Sequence, residues 1–291
     1  MDKVRISSEQ DIPALRRLWK LAFGDSEAYM DNFFRTYYRP ERMLVLEDEG
    51  EIRSMTAWFD TTFVVPGRGE YRAAYLYAVA THPESRGKGL AGKLLAGADQ
   101  YFRSLSIPAV TTVPAEPSLH NFFGSNGFRE CFQLAQWELE RENLPEKEEQ
   151  ISFKTLSPGE YGQLREELLK EIPHIAYPEE ALAYQIGCCT LSGGGVYGGK
   201  TSAGPVLLCG EGAGNGVFVV KEILGSPTAK RLGLSGLNRV LPACKWYLRE
   251  PVNDCEKVTE GWQFAMLKWL EPPLEKEWDW HSFAYLGLAF D

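Results

Sequence analysis

The period of apolar and polar residues changes several times along the chain, and each change marks a predicted element. Apolar residues recur at helical spacing after Ser8 and again after Ser26, which predicts two helices. From Met43 the period becomes that of strands, with turn residues at 48–50 and 66–69. These segments predict two helices followed by an antiparallel three-stranded meander.

The elements that follow are also predicted from their periods: a helix carrying Leu90, Leu94, Ala98 and Phe102, a strand at Ala109–Val113, a short helix at Ser118–Gly124 and a strand at Phe128–Glu140. Residues 141–149 are charged and contain a proline, which is typical of a joint between domains. We therefore predict an N-terminal domain at 1–143 and a second domain at 150–291.

The second half of the sequence repeats the first. The segment PESRGKGLAG at Pro83–Gly92 aligns without a gap with PTAKRLGLSG at Pro227–Gly236. A capping box at Ser157–Glu160 opens a predicted helix, and turns at 202–204 and 212–215 repeat the meander. The pattern predicts an α/β protein of the α+β kind, in which helices flank mixed, mostly antiparallel sheets and one unit is duplicated.

The net charge and composition of the chain indicate which classes of binding partner to expect. The 291 residues carry a formal charge of −9, the wrong sign for binding nucleic-acid phosphates or anionic lipid, and favour a cationic or neutral partner. No run approaches the roughly 18 apolar residues of a membrane span, and the first residues lack the apolar core of a secretion signal. We expect a cytoplasmic protein without nucleic-acid or membrane partners.

The cysteines indicate packing rather than metal binding. None lies in a C-x-x-C spacing or at metal-ligand intervals from a histidine, so we expect reduced side chains and no metal. They are Cys131, Cys188, Cys189, Cys209, Cys244 and Cys255.

The glycine-rich segment after the meander is the main candidate for binding chemistry. Its letters GKGLAG fit the dinucleotide pattern G-x-G-x-x-G, but an antiparallel meander precedes them and no carboxylate lies about 20 positions on. A P-loop is excluded because no Gly-Lys-Ser/Thr follows. The turn at Arg86–Ala91 instead enters a helix with uncovered N–H groups, which favours an anion, and Arg86 and Lys88 add positive charge. The alternative is a glycine-rich helix start without a ligand.

Two motifs resemble the GNAT superfamily of N-acetyltransferases. Val79–Ala91 resembles its coenzyme A signature, V-x-x-x-P-x-x-[Q/R]-x-x-G-x-[G/A], and Asn121–Phe128 resembles a second motif, a short helix ending in Gly-Phe. The resemblance covers Val4 to about Glu140. It implies a bulged strand whose backbone holds pantetheine and the thioester, and a loop that holds pyrophosphate. The implied binding residues for acetyl-CoA are Val79, Thr81, Arg86, Gly87, Lys88, Gly89, Leu90, Ala91, Gly92 and Asn121.

The two copies are similar to the tandem body of the enhanced-intracellular-survival (Eis) type of acetyltransferases, without room for their third, sterol-carrier-like domain. This difference leaves open the acceptor and any use of the C-terminal carboxylate, here Asp291. In the second copy Arg231 and Leu232 replace Gly87 and Lys88, and Pro242 interrupts the following segment. We expect a degenerate copy that has lost coenzyme A and shapes the amine pocket.

Several residues are candidates for the catalytic groups. Glu116 and His120 follow the strand at Ala109–Val113 and are candidates for removing the amine's proton, although Glu116 also fits an exposed turn. Family members often protonate the leaving thiolate with a tyrosine four residues before the Gly of Gly-Phe, and this position is Phe123. Tyr77 is the alternative proton donor. The competing interpretation is that Tyr77 is an aromatic residue of the core without a catalytic role.

The leading hypothesis is therefore an acetyl-CoA-dependent N-acetyltransferase that acts on a primary amine, a small or cationic molecule or a peptide, by direct attack on the thioester. The alternative is a non-catalytic protein that binds or senses acyl-CoA. A tandem aminoacyl transferase of the peptidoglycan-building kind would have a basic surface and a long helical arm, which the sequence does not indicate. An exposed sheet edge between the copies offers an interface for a homo-oligomer.

Overall fold

The structure is a computed structural model that describes residues 2–252 and 261–290. Its residues divide into two compact units: the first contains residues 2–63, 70–130 and 265–280, and the second contains residues 64–69, 131–252, 261–264 and 281–290. Within the described ranges, no helix has the length and apolar character needed to cross a membrane.

The elements of the N-terminal half are β1 (Lys3–Ile6), α1 (Ile12–Phe23), α2 (Glu27–Thr36), β2 (Met43–Asp48), β3 (Glu51–Val65), β4 (Gly69–Thr81), α3 (Leu90–Ser104), β5 (Ala109–Thr112), α4 (Pro117–Ser125) and β6 (Arg129–Glu140). Those of the C-terminal half are β7 (Phe153–Thr155), α5 (Pro158–Leu169), β8 (His174–Ala176), α6 (Glu179–Leu191), β9 (Gly195–Thr201), β10 (Gly204–Gly214), β11 (Val217–Leu224), α7 (Pro227–Leu234), α8 (Leu237–Val240), β12 (Lys245–Glu250), β13 (Trp262–Trp269) and α9 (Pro272–Glu277).

Local signals in the sequence explain the first two helices. Gly24 ends α1 in the left-handed conformation at φ 76°, which glycine adopts without steric cost. Ser26 caps α2, because its side chain accepts a hydrogen bond from the backbone N–H of Tyr29. Both predicted helices, and the meander of β2, β3 and β4 after them, are confirmed.

The sheet of the first unit has the strand order β1-β2-β3-β4-β5-β13. β1, β2 and β3 pair antiparallel, β4 and β5 pair parallel, and β13 pairs antiparallel with β5. The apolar face of α3 covers this sheet, with Leu94, Ala98 and Phe102 buried in one cluster with Trp58 and Leu76. This core fixes α3, and with it the glycine-rich turn that precedes the helix.

The sheet of the second unit has the strand order β7-β9-β10-β11-β12-β6 and repeats the same pattern. β9, β10 and β11 pair antiparallel, whereas β11 and β12 pair parallel. Its own core includes Val206, Leu208, Val220, Trp246 and Leu248, all fully buried. The duplication predicted from the sequence is confirmed.

The last strand of each sheet comes from the other half of the sequence. β13 pairs with β5 through Met266↔Thr112 to Trp269↔Ala109, and β6 pairs with β12 through Lys245↔Glu140 to Glu250↔Ala135. The compact units therefore do not follow the predicted boundary at 143–150. The physical reason is that each short parallel pair has an open edge, and an antiparallel strand distant in sequence satisfies it.

The cysteine prediction holds for four of the five described side chains. Cys131, Cys188, Cys189 and Cys209 are buried and reduced, but Cys244 is exposed, which corrects its interpretation as a packing residue. Cys255 lies outside the described residues.

Lys268 of β13 ties together two helices of the first unit. Its ammonium donates to Asp99 Oδ2 of α3 at 2.5 Å and to the carbonyl of Asn126, at the end of α4, at 2.7 Å. Lys268→Met would leave the largely buried Asp99 carboxylate without its cation. We expect the free energy of unfolding to fall by about 2 kcal/mol, measured by urea denaturation.

Lys93→Met is the matched control, because Lys93 pairs with Asp2 at the surface, where ion pairs contribute little. Equal losses in the two lysine variants would show that Lys268 has no special structural role.

A second prediction concerns acid stability. Arg5 donates to both carboxylate oxygens of Asp11, at 2.7 and 2.9 Å, and this lowers the pKa of Asp11 to about 2. A carboxyl in the unfolded chain titrates near ~3.9, so the pair stabilises the fold above that pH, and the contribution is lost as the pH falls toward the folded value.

We expect the Tm to fall between about pH 4 and about pH 2, with a shallower decline in both Asp11→Asn and Arg5→Met, measured by circular dichroism. Variants that keep the wild-type slope would contradict this origin of the acid sensitivity.

Candidate functional site

The central feature of the first unit is the point where β4 leaves β5. The parallel pairing runs from Ala73↔Ala109 to Leu76↔Thr112, where β5 ends, whereas β4 continues to Thr81. Residues 77–81 therefore extend past the end of their parallel neighbour. The edge of β4 that faced β5 can accept an extended ligand there, as an unpaired strand edge does.

The backbone of β4 is irregular within this extension. Ala78 has φ 50°, a left-handed conformation that is strained for a residue with a side chain. Side chains of β3 support the bend: Thr56 Oγ1 donates to the Tyr77 carbonyl at 3.3 Å, and Ser54 Oγ donates to the Ala80 carbonyl at 2.8 Å. The irregularity adjoins Val79, which the sequence predicts to bind the ligand through its backbone.

Thr81 ends β4, and its side chain is already engaged on the β3 side. Its hydroxyl lies 2.6 Å from the hydroxyl of Ser54. Its carbonyl accepts a hydrogen bond from Arg86 Nε at 3.3 Å, which draws the start of the glycine-rich turn toward the end of the strand.

The glycine-rich turn opens α3 with an exposed backbone. Gly87 and Gly89 both have φ 75°, and a Cβ added to either would meet no atom within 4 Å. The helical bond at the start of α3 runs from the Lys93 N–H to the Gly89 carbonyl, and no side chain caps the helix. The N–H groups of the first turn are left for an anion at the positive end of a 15-residue helix.

The remaining predicted loop residues differ in what they can offer. Arg86 and Lys88 are exposed, whereas the side chain of Leu90 is buried in the core, so Leu90 can contribute only its backbone. Ala91 is half-buried. A Cβ added at Gly92 would lie 3.5 Å from Asn126 Oδ1, so α4 approaches the first turn of α3 closely.

Of the predicted residues of α4, two are exposed and one is paired with a residue of another element. Glu116 is the exposed N-cap residue of α4 and makes no side-chain cap hydrogen bond, and Asn121 is exposed. His120 Nδ1 lies 2.8 Å from Glu130 Oε1, at the start of β6. A carboxylate at Nδ1 favours the tautomer with its proton on that nitrogen and leaves Nε2 able to accept one. Glu130 is a further residue of this site, and no motif in the sequence indicates it.

The two positions considered for the proton donor lie in different surroundings. Phe123 is 4% exposed in the core of the first unit, with its ring 5.5 Å from that of Phe128. Tyr77 is half-buried directly before the strained Ala78, and its hydroxyl lies 3.2 Å from that of Tyr29. Of the two, only Tyr77 carries a proton-donating group, and it lies at the bend of β4.

A cavity of about 520 Å³ lies beside α1 in the first unit. It is lined by α1, the β2–β3 hairpin and His82. None of the predicted ligand-binding residues lines it, and the Arg5–Asp11–Glu47 ion pairs hold part of its wall.

The equivalent place in the second unit is filled by the chain itself. The parallel pairing of β11 with β12 ends at Val220↔Leu248, and the next two residues of β11 are Lys221 and Glu222, both buried. Lys221 Nζ donates to the Ala289 carbonyl at 2.7 Å. Glu222 accepts from Arg165 Nε at 3.0 Å and from the Tyr161 hydroxyl at 2.6 Å.

The turn before α7 also differs from the turn before α3. Ser226 caps α7 by accepting a hydrogen bond from the Ala229 N–H at 3.2 Å, and Pro227 occupies the first turn without an N–H. Lys230 is buried and pairs with Glu250. The backbone N–H groups that are uncapped at the start of α3 are therefore capped by Ser226 or absent at Pro227 at the start of α7.

Comparison with known proteins agrees with this geometry. Residues 3–129 match the family model described as an acetyltransferase (GNAT) domain. No curated protein sequence matches the chain significantly.

Solved structures resemble the chain over most of its length. A GCN5-related N-acetyltransferase from Kribbella flavida is 16% identical with a TM-score of 0.71, over 94% of this chain and 72% of that one. Eis1 from Mycobacterium abscessus is 13% identical with a TM-score of 0.67, over 92% and 74%.

A tandem GNAT protein from the clavulanic acid biosynthesis pathway is 13% identical with a TM-score of 0.58, over 94% of this chain and 99% of that one. Identities this low show a common fold and leave function to be argued from the site. Residues 3–129 are therefore similar to a GNAT acetyltransferase domain, and the fold of the chain is similar to that of tandem GNAT proteins.

Proposed function

We propose that the protein is an acetyl-CoA-dependent N-acetyltransferase that acylates a primary amine. The observation that carries the proposal is the order of two features in the first unit: the irregular end of β4 extends past β5, and the open glycine turn of α3 follows it after one short 3-10 turn. An extended arm ending in a diphosphate requires a strand edge and an anion site in that order, and coenzyme A is such a molecule.

The fit of acetyl-CoA is supported by the space around the loop glycines. Because a Cβ at Gly87 or Gly89 would project into open space, a phosphate can approach their backbone closely. Val79 and Thr81 would hold the pantetheine arm through their backbone, and Arg86, Lys88 and the first turn of α3 would hold the diphosphate. Asn121, exposed on α4, is the remaining candidate contact.

The reaction transfers an acetyl group and two protons. The neutral amine nitrogen attacks the thioester carbonyl, a C–N bond forms, and the nitrogen loses its second proton to solvent. The C–S bond breaks with its electron pair on sulfur. An amine of pKa ~10.4 is almost wholly protonated at pH 7, which costs roughly 4–5 kcal/mol, so a base must first remove a proton. We assign this role to His120, because its Nδ1 is paired with Glu130 and its Nε2 remains as the acceptor.

The thiolate then takes a proton from the Tyr77 hydroxyl, in the absence of a hydroxyl at Phe123. Glu116 is a weaker candidate for the base, because its side chain is exposed and makes no cap hydrogen bond. The net charge of −9 supports a cationic acceptor, which an acidic protein attracts.

The non-catalytic alternative is supported by one observation. The family's usual acid position is occupied by Phe123, buried in the core, so a protein that binds acyl-CoA without turnover would show the same fold. The two functions differ in one measurable event, the release of free thiol in the presence of an amine.

A titration and a turnover assay separate these functions. We expect one acetyl-CoA site per chain by isothermal calorimetry, because the equivalent place in the second unit is filled by buried ion pairs and the C-terminal segment. We also expect thiol release with at least one cationic amine from a panel. If acetyl-CoA binds but no amine of the panel causes thiol release, the sensing function is favoured. If acetyl-CoA does not bind, both proposed functions are wrong.

A substitution in the loop tests where coenzyme A binds. Gly89→Asp places a carboxylate among the N–H groups meant for phosphate, and we expect the Kd for coenzyme A to rise about 100-fold or more. Gly89→Asn is the matched control, because Asn tolerates the left-handed backbone equally well and carries no charge. Its Kd should stay within about tenfold of the wild type. Equal losses in both variants would mean that backbone strain, and not charge, weakens binding.

A further inference from the structure

The hydroxyls of two tyrosines, one on β4 and one on α2, lie within hydrogen-bonding distance of each other. Tyr77 lies on β4 directly before Ala78, and Tyr29 lies in the first turns of α2. Their hydroxyl oxygens are 3.2 Å apart, and both side chains are half-buried. The pair includes Tyr77, to which the proposed function assigns the protonation of the leaving sulfur.

The ring of Tyr77 is held by other aromatic side chains. Its centroid lies 5.6 Å from that of Trp19, 5.8 Å from Phe33 and 5.2 Å from Phe59. These three neighbours are at most 1% exposed. Packing this close on several sides limits the ring to small movements, so the direction of its hydroxyl depends mainly on hydrogen bonding.

The backbone of Tyr29 is also fixed. Its N–H donates to the cap residue Ser26 at 3.2 Å, so Tyr29 cannot move without breaking the start of α2. Trp19 Nε1 donates to Asp25 Oδ2 at 2.7 Å, which ties the α1–α2 connection to the same tryptophan that packs on Tyr77. Both partners of the hydroxyl pair are thus placed by rigid elements.

We propose that Tyr29 is a positioning residue for Tyr77, an inference that rests on the proposed acetyl transfer. The Tyr29 hydroxyl donates to the Tyr77 oxygen and so directs the Tyr77 proton toward the departing sulfur. As the C–S bond breaks, that proton moves to the thiolate, and the Tyr29 hydrogen bond stabilises the phenolate left on Tyr77. The proton from the amine returns to Tyr77 through solvent, which closes the cycle.

The direction of the hydrogen bond follows from the chemistry. A phenol has one proton, and if Tyr77 donated it to Tyr29 it could not donate to sulfur. Tyr29 must therefore be the donor whenever Tyr77 acts as the acid. A hydrogen bond to an oxygen that becomes charged is stronger than one to a neutral oxygen, so the effect is greatest in the transition state.

The test is a double-mutant cycle on the full-length protein, with acetyl-CoA and the best amine of the panel as substrates. We expect kcat to fall about 100-fold or more in Tyr77→Phe, the usual contribution of a general acid. In Tyr29→Phe we expect a fall of about tenfold, the effect of one hydrogen bond. The KM for acetyl-CoA should not change in either variant.

The double variant carries the decisive readout. If Tyr29 acts only through Tyr77, Tyr29→Phe/Tyr77→Phe should be no slower than Tyr77→Phe alone. A purely structural role for Tyr29 would instead give independent losses, with the double variant about tenfold slower than Tyr77→Phe.

Two further variants separate hydroxyl chemistry from stability. Tyr38→Phe is the control, because it removes a hydroxyl that lies 3.1 Å from Ser7 Oγ, and kcat should stay at the wild-type value. Incorporation of 3-fluorotyrosine at position 29 keeps a hydroxyl donor, so we expect kcat to stay within a fewfold of the wild-type value. Retained kcat in this variant, together with a lower kcat in Tyr29→Phe, would assign the loss to the missing hydroxyl.

The outcomes are distinguishable from failure of the proposed function. A wild-type protein that binds acetyl-CoA but never releases thiol would overturn both the acetyl transfer and the role of Tyr29. An active wild type in which Tyr29→Phe keeps full kcat, or in which the losses multiply, would overturn only the role of Tyr29.

Discussion

The site depends on the early end of one parallel strand pair. β5 has only four residues, and Pro108 and Pro114 stand close to its two ends. A proline cannot donate to a strand ladder, so the pairing with β4 stops at Thr112 while β4, with 13 residues, continues. The irregular backbone at Ala78, the exposed strand edge and the approach to the glycine turn all lie in that excess length. A longer β5 would cover the edge and leave no place for an extended ligand.

The same constraint explains why the two halves exchange strands. Each short parallel pair leaves β5 or β12 with an open edge, and the strand that covers it comes from the other half of the sequence. Periodicity predicts β6, since it depends only on neighbouring residues, whereas β13 is not among the predicted strands. Periodicity contains no information on which sheet edge a strand joins, because it does not depend on residues distant in sequence. For this reason the predicted elements agree with the structure, whereas a boundary drawn at 143–150 does not separate the compact units.

A similar limit applies to the site. The glycine-rich loop could be predicted from sequence because its backbone conformation depends on local residues. Gly87 and Gly89 have positive φ, which favours glycine and so produces a recognisable motif. The partners of the candidate catalytic residues could not be found this way. Glu130 lies ten positions from His120, and Tyr29 lies 48 positions from Tyr77. Only the folding of α2 onto β4, and of α4 against the start of β6, brings these groups within hydrogen-bonding distance. No spacing rule encodes either contact.

The two copies share a topology but differ in the charge of the residues that follow the parallel pair, β4–β5 in the first copy and β11–β12 in the second. In the first, the residues past the parallel pair are Tyr77, Ala78 and Val79, which are uncharged and leave the edge of β4 open. In the second they are Lys221 and Glu222, and buried charges are stable only when paired. Glu222 is met by Arg165, and Lys221 by Glu211 and the Ala289 carbonyl, so the chain's own groups fill the space. Lys221 and Glu222, together with these partners, leave no open strand edge in the described part of the second copy, which supports assigning the proposed chemistry to the first copy.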